Sequence, residues 1–288
     1  MIIDSLTHIL PEAFIHKRNK FLKKDKIFNC LFSNSKAKIS SVSDLYNSMS
    51  QSEVDKSVIA GFGWTDISLA KLSNDYNLES ANDSKGKLIP LCSVNPIWGK
   101  SAVNELRRCY ELGAKGIGEL HLDVQGIFDN DLNAMNEIMD FTLSYSMPTI
   151  IHGSEPLGHI YPGKGNIYPE KIIQIIQKYP KNIFIFSHFG GGLPFYSLMP
   201  EVGCLLENTF FDSAAFPYIY DSKVFKVSTI ALGANKILFA SDFPVTTQMY
   251  SLKKFSQVSL EKQTSLYNAY RNYIDGKQYI QSKCIKIP

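Results

Sequence analysis

Lys236-Ile237-Leu238-Phe239-Ala240-Ser241-Asp242 is a short apolar run that ends on a carboxylate. A run of this length, rich in Ile, Leu and Phe, predicts a β-strand buried on both faces, and such strands belong to parallel sheets. The same pattern recurs toward the N-terminus. Residues 182–187 run into His188, residues 148–152 end on His152, and residues 115–120 carry Glu119 near their end. Further runs lie at 207–212, 88–94, 57–61 and 1–7, the last followed directly by His8. Eight strands are predicted in all.

Helical patterns separate them. Ser43 is placed to cap a helix over residues 44–53. Residues 100–112 set Val103, Leu106, Arg107, Tyr110 and Glu111 at helical spacing and stop at Gly113, as a C-terminal glycine directs. Residues 132–145 carry Met135, Ile138, Met139 and Thr142 on one stripe, and residues 169–179 begin with a proline suited to a first turn. Strand and helix alternate throughout. That order predicts parallel strands with helical crossovers, and eight such units close a (β/α)8 TIM-like barrel. An open doubly wound sheet shares the alternation, but no glycine-rich phosphate turn follows the first strand. One barrel domain over residues 1–288 is expected. Two long connections, 9–42 and 153–168, follow strand C-termini, the side on which barrels place their sites.

Composition narrows the function. Of 288 residues, 44% are apolar and 20% charged, so one large core is well supplied. A formal net charge of +3 is too small to argue for a nucleic acid or a membrane surface. The one basic cluster, His16 to Lys20 and on to Lys26, is expected to be a solvated loop. The five cysteines are odd in number and widely spaced, with no C-x-x-C, which speaks against a disulfide framework and a thiolate zinc site. Neither a signal peptide nor a membrane span is expected. A cytoplasmic protein is the default, with a small-molecule substrate; a homo-oligomer stays open.

The histidines and acids fall at strand ends. His8, Glu119, His152, His188 and Asp242 close five different runs, and strand ends of a barrel converge on one mouth. Imidazole and carboxylate together suit a divalent ion, zinc first, with manganese, iron or cobalt as alternatives. One such histidine alone would be an ordinary structural residue; three with two carboxylates point to a metal. Glu155, His159, Tyr161 and Lys164 in the loop after the fifth run are candidates to contact an anionic substrate or a second ion, against a Gly/Pro-shaped turn that satisfies its own polar groups. His121 lies just beyond Glu119 and fits a supporting or a solvent position equally. Asp212 either lines the mouth or caps a helix. Asp4 is expected to alternate inward with Leu6 and His8 and to serve hydrogen bonding. Trp64 and Trp98 either wall a pocket or pack, and His16 is expected at the surface.

The segments Ile3-Asp4-Ser5-Leu6-Thr7-His8-Ile9-Leu10-Pro11, Ile151-His152, Ser187-His188-Phe189-Gly190-Gly191-Gly192 and Leu238-Phe239-Ala240-Ser241-Asp242-Phe243-Pro244 resemble the amidohydrolase superfamily, closest to its amidohydrolase-2 branch. That branch includes decarboxylases. The resemblance runs from Met1 to about Tyr250. It implies a TIM-like barrel with one or two divalent ions at its C-terminal mouth. His8 matches the second histidine of the family's His-x-His, His152 the strand-five metal histidine, and His188 the strand-six histidine that binds a second ion or activates water. Asp242 matches the strand-eight aspartate, a ligand or general base, and Glu119 sits where relatives place a bridging carboxylate. The first histidine of His-x-His would fall at position 6, where this chain has Leu6. An isobutyl group cannot ligate, so at most one tightly held ion is expected, on Glu119, His152 and His188. The activity implied is hydrolysis of an amide, lactone or ester by activated water, with Asp242, or His188, moving the proton. Non-oxidative decarboxylation is the alternative, although Arg107 and Arg108 lie mid-helix, leaving Lys164 as a carboxylate holder. A binding protein without turnover is a third, because of Leu6.

Overall fold

All eight apolar runs become strands in the computed structural model of the chain, which describes residues 1–256, the side chains of residues 129 and 130 apart. β1 is Ile3–His8, β2 Lys56–Ala60, β3 Leu88–Pro90, β4 Ile117–Leu120, β5 Thr149–Ile151, β6 Phe184–Phe186, β7 Thr209–Asp212 and β8 Ile237–Leu238. Most are shorter than their apolar runs, whose last residues leave the ladder for the loops above. Every pairing is parallel, in two arcs, β1-β2-β3 and β4-β5-β6-β7-β8.

Two seams join the arcs into a ring. At one, Cys92 bridges to Ile117; the Cys92 N–H donates to Gly116 O at 3.0 Å, and its carbonyl accepts from Gly118 N at 2.9 Å. At the other, Thr7 bridges to Phe243, Ser5 N donates to Phe239 O at 2.9 Å, and His8 N to Phe243 O at 2.7 Å. The ring is the (β/α)8 barrel that the alternation predicts. Helices Val42–Ser52, Ile67–Asn82, Lys100–Glu111, Asn136–Ser144, Pro169–Lys178, Pro200–Gly203, Lys223–Leu232 and Gln248–Phe255 follow the strands in turn. No helix among the described residues is long and apolar enough to cross a membrane.

Period-two alternation sorts the strand residues into two layers. Val58, Ala60, Ile89, Ile150, Ile185, Phe210 and Leu238 fill the barrel interior together with Ile3 and Leu6. Ile117, Ile151, Phe184, Phe186, Phe211 and Ile237 face the helices in a separate, larger cluster. Leu6 has no exposed surface and belongs to the interior floor on which the mouth stands.

Four local expectations shift. Ser41, not Ser43, caps the first long helix, in a reciprocal box with Asp44 that the sequence offers two residues earlier. The helix over 100–111 buries Ala102, Glu105, Leu106 and Cys109, one residue round from the stripe read off the sequence. The reason is Glu105, which is buried because Arg108 at 2.7 Å and Asn74 at 2.9 Å hold its carboxylate. Residues 9–42 are not a bare loop. Helices Ala13–His16, Arg18–Leu22 and Lys26–Phe32 sit there, held by Phe14, Phe21, Phe28, Phe32 and Trp64 in one aromatic cluster; Trp64 therefore packs. Finally, a register shift between Asp4 and Thr7 breaks the alternation in β1. Ile3 and Leu6 both turn inward, and Asp4 turns to other partners.

Those partners shut the ring. The buried Asp4 carboxylate accepts from Ser241 N at 2.9 Å, Ser241 Oγ at 2.5 Å and Gln248 Nε2 at 2.8 Å, which ties β1 to the segment after β8 and to the last helix. Burial nevertheless lifts its pKa from 3.8 to about 6 against the pull of those donors. The folded chain thus keeps the Asp4 proton to a higher pH than the unfolded chain. The contribution is fully present below about pH 3.8 and is lost as the pH rises through about 6. Relative to Asp4→Asn, the wild type should lose about 3 kcal/mol of stability between pH 3.8 and pH 7, from a shift of two units at about 1.4 kcal/mol each. Denaturant titrations of both proteins across that range check this; a pH-independent difference would refute it.

Candidate metal centre

β1 ends on His8, β4 carries Glu119, and the chain leaving β5, β6 and β8 carries His152, His188 and Asp242. All five are buried and meet at one mouth. His188 and Asp242 reach it through left-handed backbone, φ 56° and 64°, a conformation that costs an L-residue about 1–2 kcal/mol. The glycines after His188 let this turn lie against the loop after β5. At Gly191, itself at φ 62°, a Cβ would stand 1.9 Å from Ser154 O.

Three backbone carbonyls decide three histidine tautomers. A carbonyl only accepts, so the ring nitrogen facing it carries the hydrogen. His8 Nδ1 donates to Ala60 O at 3.2 Å, His152 Nε2 to Lys164 O at 3.2 Å, and His188 Nδ1 to Ala214 O at 2.8 Å. In the neutral rings of His152 and His188 the opposite nitrogens are left with lone pairs, and these and His8 Nε2 all face Glu119. His152 Nδ1 is 3.0 Å from Glu119 Oε1, His188 Nε2 3.9 Å from the same oxygen, and His8 Nε2 3.6 Å from Oε2. His188 Nε2 and His152 Nδ1 stand 3.2 Å apart. Two bare lone pairs at that distance repel unless a cation lies between them or one takes a proton.

The donor set fits a divalent ion. One ligand atom each from Glu119, His152 and His188 falls within 4.8 Å of the others. Donors around a tetrahedral ion with bonds of about 2.1 Å lie roughly 3.4 Å apart, so small side-chain adjustments suffice. Orienting each imidazole through its other N–H is how proteins prepare metal histidines. Burial pushes the Glu119 carboxyl up, but the His121 and His152 imidazoles outweigh it and hold the group well below the usual range. His8 stands apart from the triad. Its Nε2 is 3.3 Å from Asp242 Oδ1, and its ring stacks on Phe62 at 4.4 Å. Burial opposes charge on His8, yet the Asp242 hydrogen bond and the charges of Asp242 and Glu119 raise its pKa.

The remaining candidates divide. Glu155 is buried and accepts the Tyr161 hydroxyl at 2.9 Å. His159 is exposed, its ring 5.6 Å from that of Tyr161. The Lys164 ammonium turns onto Leu157 O at 2.8 Å and His159 O at 3.0 Å, so Lys164 serves the centre through its carbonyl. Asp212 Oδ1 accepts from His188 N and Ala214 N, and burial lifts its pKa to about 7. His121, left open by the sequence, is buried here; its Nε2 is 3.2 Å from Glu119 Oε2 and its ring stacks on His152 at 4.5 Å. Spacing of two from Glu119 was its signal. Phe62 and Tyr220 carried none.

With this geometry in hand, comparison with known proteins gives the family. The amidohydrolase family model matches residues 48–271. The chain belongs to the amidohydrolase family and is an enzyme of that family. No curated protein matches the sequence. Solved structures with the same barrel include 5-carboxyvanillate decarboxylase from Novosphingobium aromaticivorans, with manganese and 4-hydroxy-3-methoxy-5-nitrobenzoic acid, at TM-score 0.72 and 17% identity over 96% of both chains. Another is 2,6-dihydroxybenzoate decarboxylase from Rhizobium, at 0.69 and 13% over 95% of this chain and 98% of that one. A third is dihydroxybenzoic acid decarboxylase from Polaromonas sp. JS666, with manganese and 2-nitroresorcinol, at 0.68 and 15% over 96% and 98%. At such identities the likeness is one of fold.

If Glu119, His152 and His188 hold the ion, protein loaded with manganese or zinc retains one ion per chain after gel filtration. His152→Ala then loses it on dialysis against a chelator. Elemental analysis of both proteins decides; full occupancy in His152→Ala would remove His152 from the centre.

Proposed function

We propose that the chain is a metal-dependent, non-oxidative decarboxylase of a small carboxylic acid, with Glu119, His152 and His188 holding one divalent ion. The observation that carries the metal centre is the set of imidazole lone pairs fixed by backbone carbonyls beside a buried carboxylate. Manganese and zinc both suit this donor set, and manganese is the ion in two of the decarboxylase structures of similar fold. When bound, the ion supplies positive charge that receives the substrate's acid group and draws electron density from it.

The protein's own groups do the rest. Phe62, stacked on His8, gives the mouth a flat apolar wall suited to a planar acid. His8 Nε2 stands 3.3 Å from Asp242 Oδ1. Asp242 delivers a proton to the carbon that carried the carboxylate: the C–C bond breaks, its electron pair forms the new C–H bond, and carbon dioxide leaves. His188 is spent on Ala214 O and on the centre, so the proton falls to Asp242.

Hydrolysis of an amide, lactone or ester is the second reading. Three arginines are committed elsewhere. Arg18 binds Phe32 O and Asn34 O, Arg107 lies over Phe141, and Arg108 pairs with Glu105 and Asp75. No guanidinium among the described residues is left at the mouth to hold a carboxylate, so in decarboxylation the ion must do so.

The test presents manganese-loaded protein with panels of phenolic and aliphatic acids and of esters, lactones and amides. Carbon dioxide release that a chelator abolishes is expected. Asp242→Asn should lower kcat by about 10²–10⁴ while metal binding persists. Hydrolysis without carbon dioxide would replace the first reading with the second.

A further inference from the structure

After β5 the chain runs out through residues 153–165 and folds back on His152 through the Lys164 carbonyl. Glu155 lies in this loop, 9% exposed. Its Oε2 accepts the Tyr161 hydroxyl at 2.9 Å. Its Oε1 is buried and has no hydrogen-bond partner among the described residues. Tyr220 faces the same carboxylate: burial first, then the Glu155 charge, push its phenol well above the ordinary value. Tyr161 is pushed up in the same way, by burial first and then by the Glu155 charge. The cluster belongs to the mouth because its loop leaves the strand end that carries His152 and folds back on that ring.

A buried carboxylate whose donors are neutral phenol hydroxyls is costly unless a cation answers it. None does. Among the described residues no lysine, arginine or histidine forms an ion pair with Glu155. Lys164 stands nearest, its ammonium 5.8 Å from the centroid of the Tyr161 ring, but two loop carbonyls hold it. A divalent ion on Glu119, His152 and His188 would answer Glu119 and leave Glu155 over.

We infer that Glu155, framed by Tyr161 and Tyr220, is a cation subsite, and that the substrate carries an ammonium group at the end remote from its carboxylate. This rests on the reading that the metal centre receives the carboxylate. The substrate class is then an amino acid in the broad sense, a carboxylate and an ammonium on one small frame, and the product of decarboxylation is an amine.

Manganese-loaded wild type is titrated calorimetrically with graded amino carboxylates, from 3-aminopropanoate through 6-aminohexanoate to 4-(aminomethyl)benzoate. Matching acids with methyl in place of ammonium serve as the reference. The best-fitting ammonium acid should bind about 10- to 100-fold tighter than its methyl counterpart, the usual worth of a hydrogen bond to a charged group. Glu155→Gln should bring the two within about twofold and leave the methyl acid unchanged. Glu155→Asp, which keeps the charge, should retain part of the preference. Equal affinities in the wild type, a preference that survives in Glu155→Gln, or full manganese occupancy with no probe bound would each overturn the subsite while leaving the metal centre standing. More than one manganese per wild-type chain, falling to one in Glu155→Gln, would make Glu155 a metal ligand and overturn it too. A wild type that holds no manganese removes the metal reading, and the subsite with it.

Discussion

Three N–H···O=C bonds, from His8 to Ala60, His152 to Lys164 and His188 to Ala214, are the constraint on which the site depends. Each is an ordinary hydrogen bond in strength, yet each removes one of two tautomers and fixes the plane of a ring. A free imidazole can present either nitrogen; these three can present only one. The lone pairs and the Glu119 carboxylate are thereby crowded before any ligand arrives, and the cost of that crowding is borne by the barrel. The acceptors come from the end of β2, the loop after β5 and the turn after β7, so the histidines hold their aim only if the ring keeps its register and that loop its fold.

The frame was legible because its signal is collective. Eight apolar runs separated by helical patterns survive errors of a few residues at each boundary, and all eight strands appear. Placement of ligands at strand ends was legible for the same reason: His8, Glu119, His152, His188 and Asp242 each terminate a run. What escaped the sequence depended on single contacts. The inward turn of Ile3 follows from one register shift. The burial of Glu105 follows from Asn74 and Arg108, which lie on two different helices. The aromatic packing of residues 9–42 looked like a charged loop because the lysines alternate with Phe14, Phe21, Phe28 and Phe32, and spacing over such short helices is too brief to carry a period.

The site shows the same division. Ligand identity was readable; ligand direction was not. The sequence offers Lys164 through its ammonium, whereas its contribution to His152 is a carbonyl that any residue would supply. His121 is visible as a histidine two residues from Glu119, but only three-dimensional proximity sets its Nε2 at 3.2 Å from Oε2 of that carboxylate, with His152 Nδ1 at 3.0 Å from Oε1. In the sequence Leu6 is a missing donor. In the folded chain it is part of the apolar floor with Val58, Ala60 and Leu238, so a ligand lost at the mouth became packing beneath it.

The Asp4 carboxylate joins residues separated by 237 and 244 positions. A contact of that span forms late, because the loop it closes is nearly the whole described chain. During synthesis β1 emerges first, yet the Asp4 partners beyond β8 emerge only once residue 248 has left the ribosome. For that interval one side of β1 offers unpaired N–H and C=O groups, the kind of edge that recruits foreign strands. The buried carboxylate that shuts the ring is therefore also a clock on biosynthesis. It sets how long that edge stays open on the growing chain, and it places the period of greatest aggregation hazard just before the barrel becomes whole.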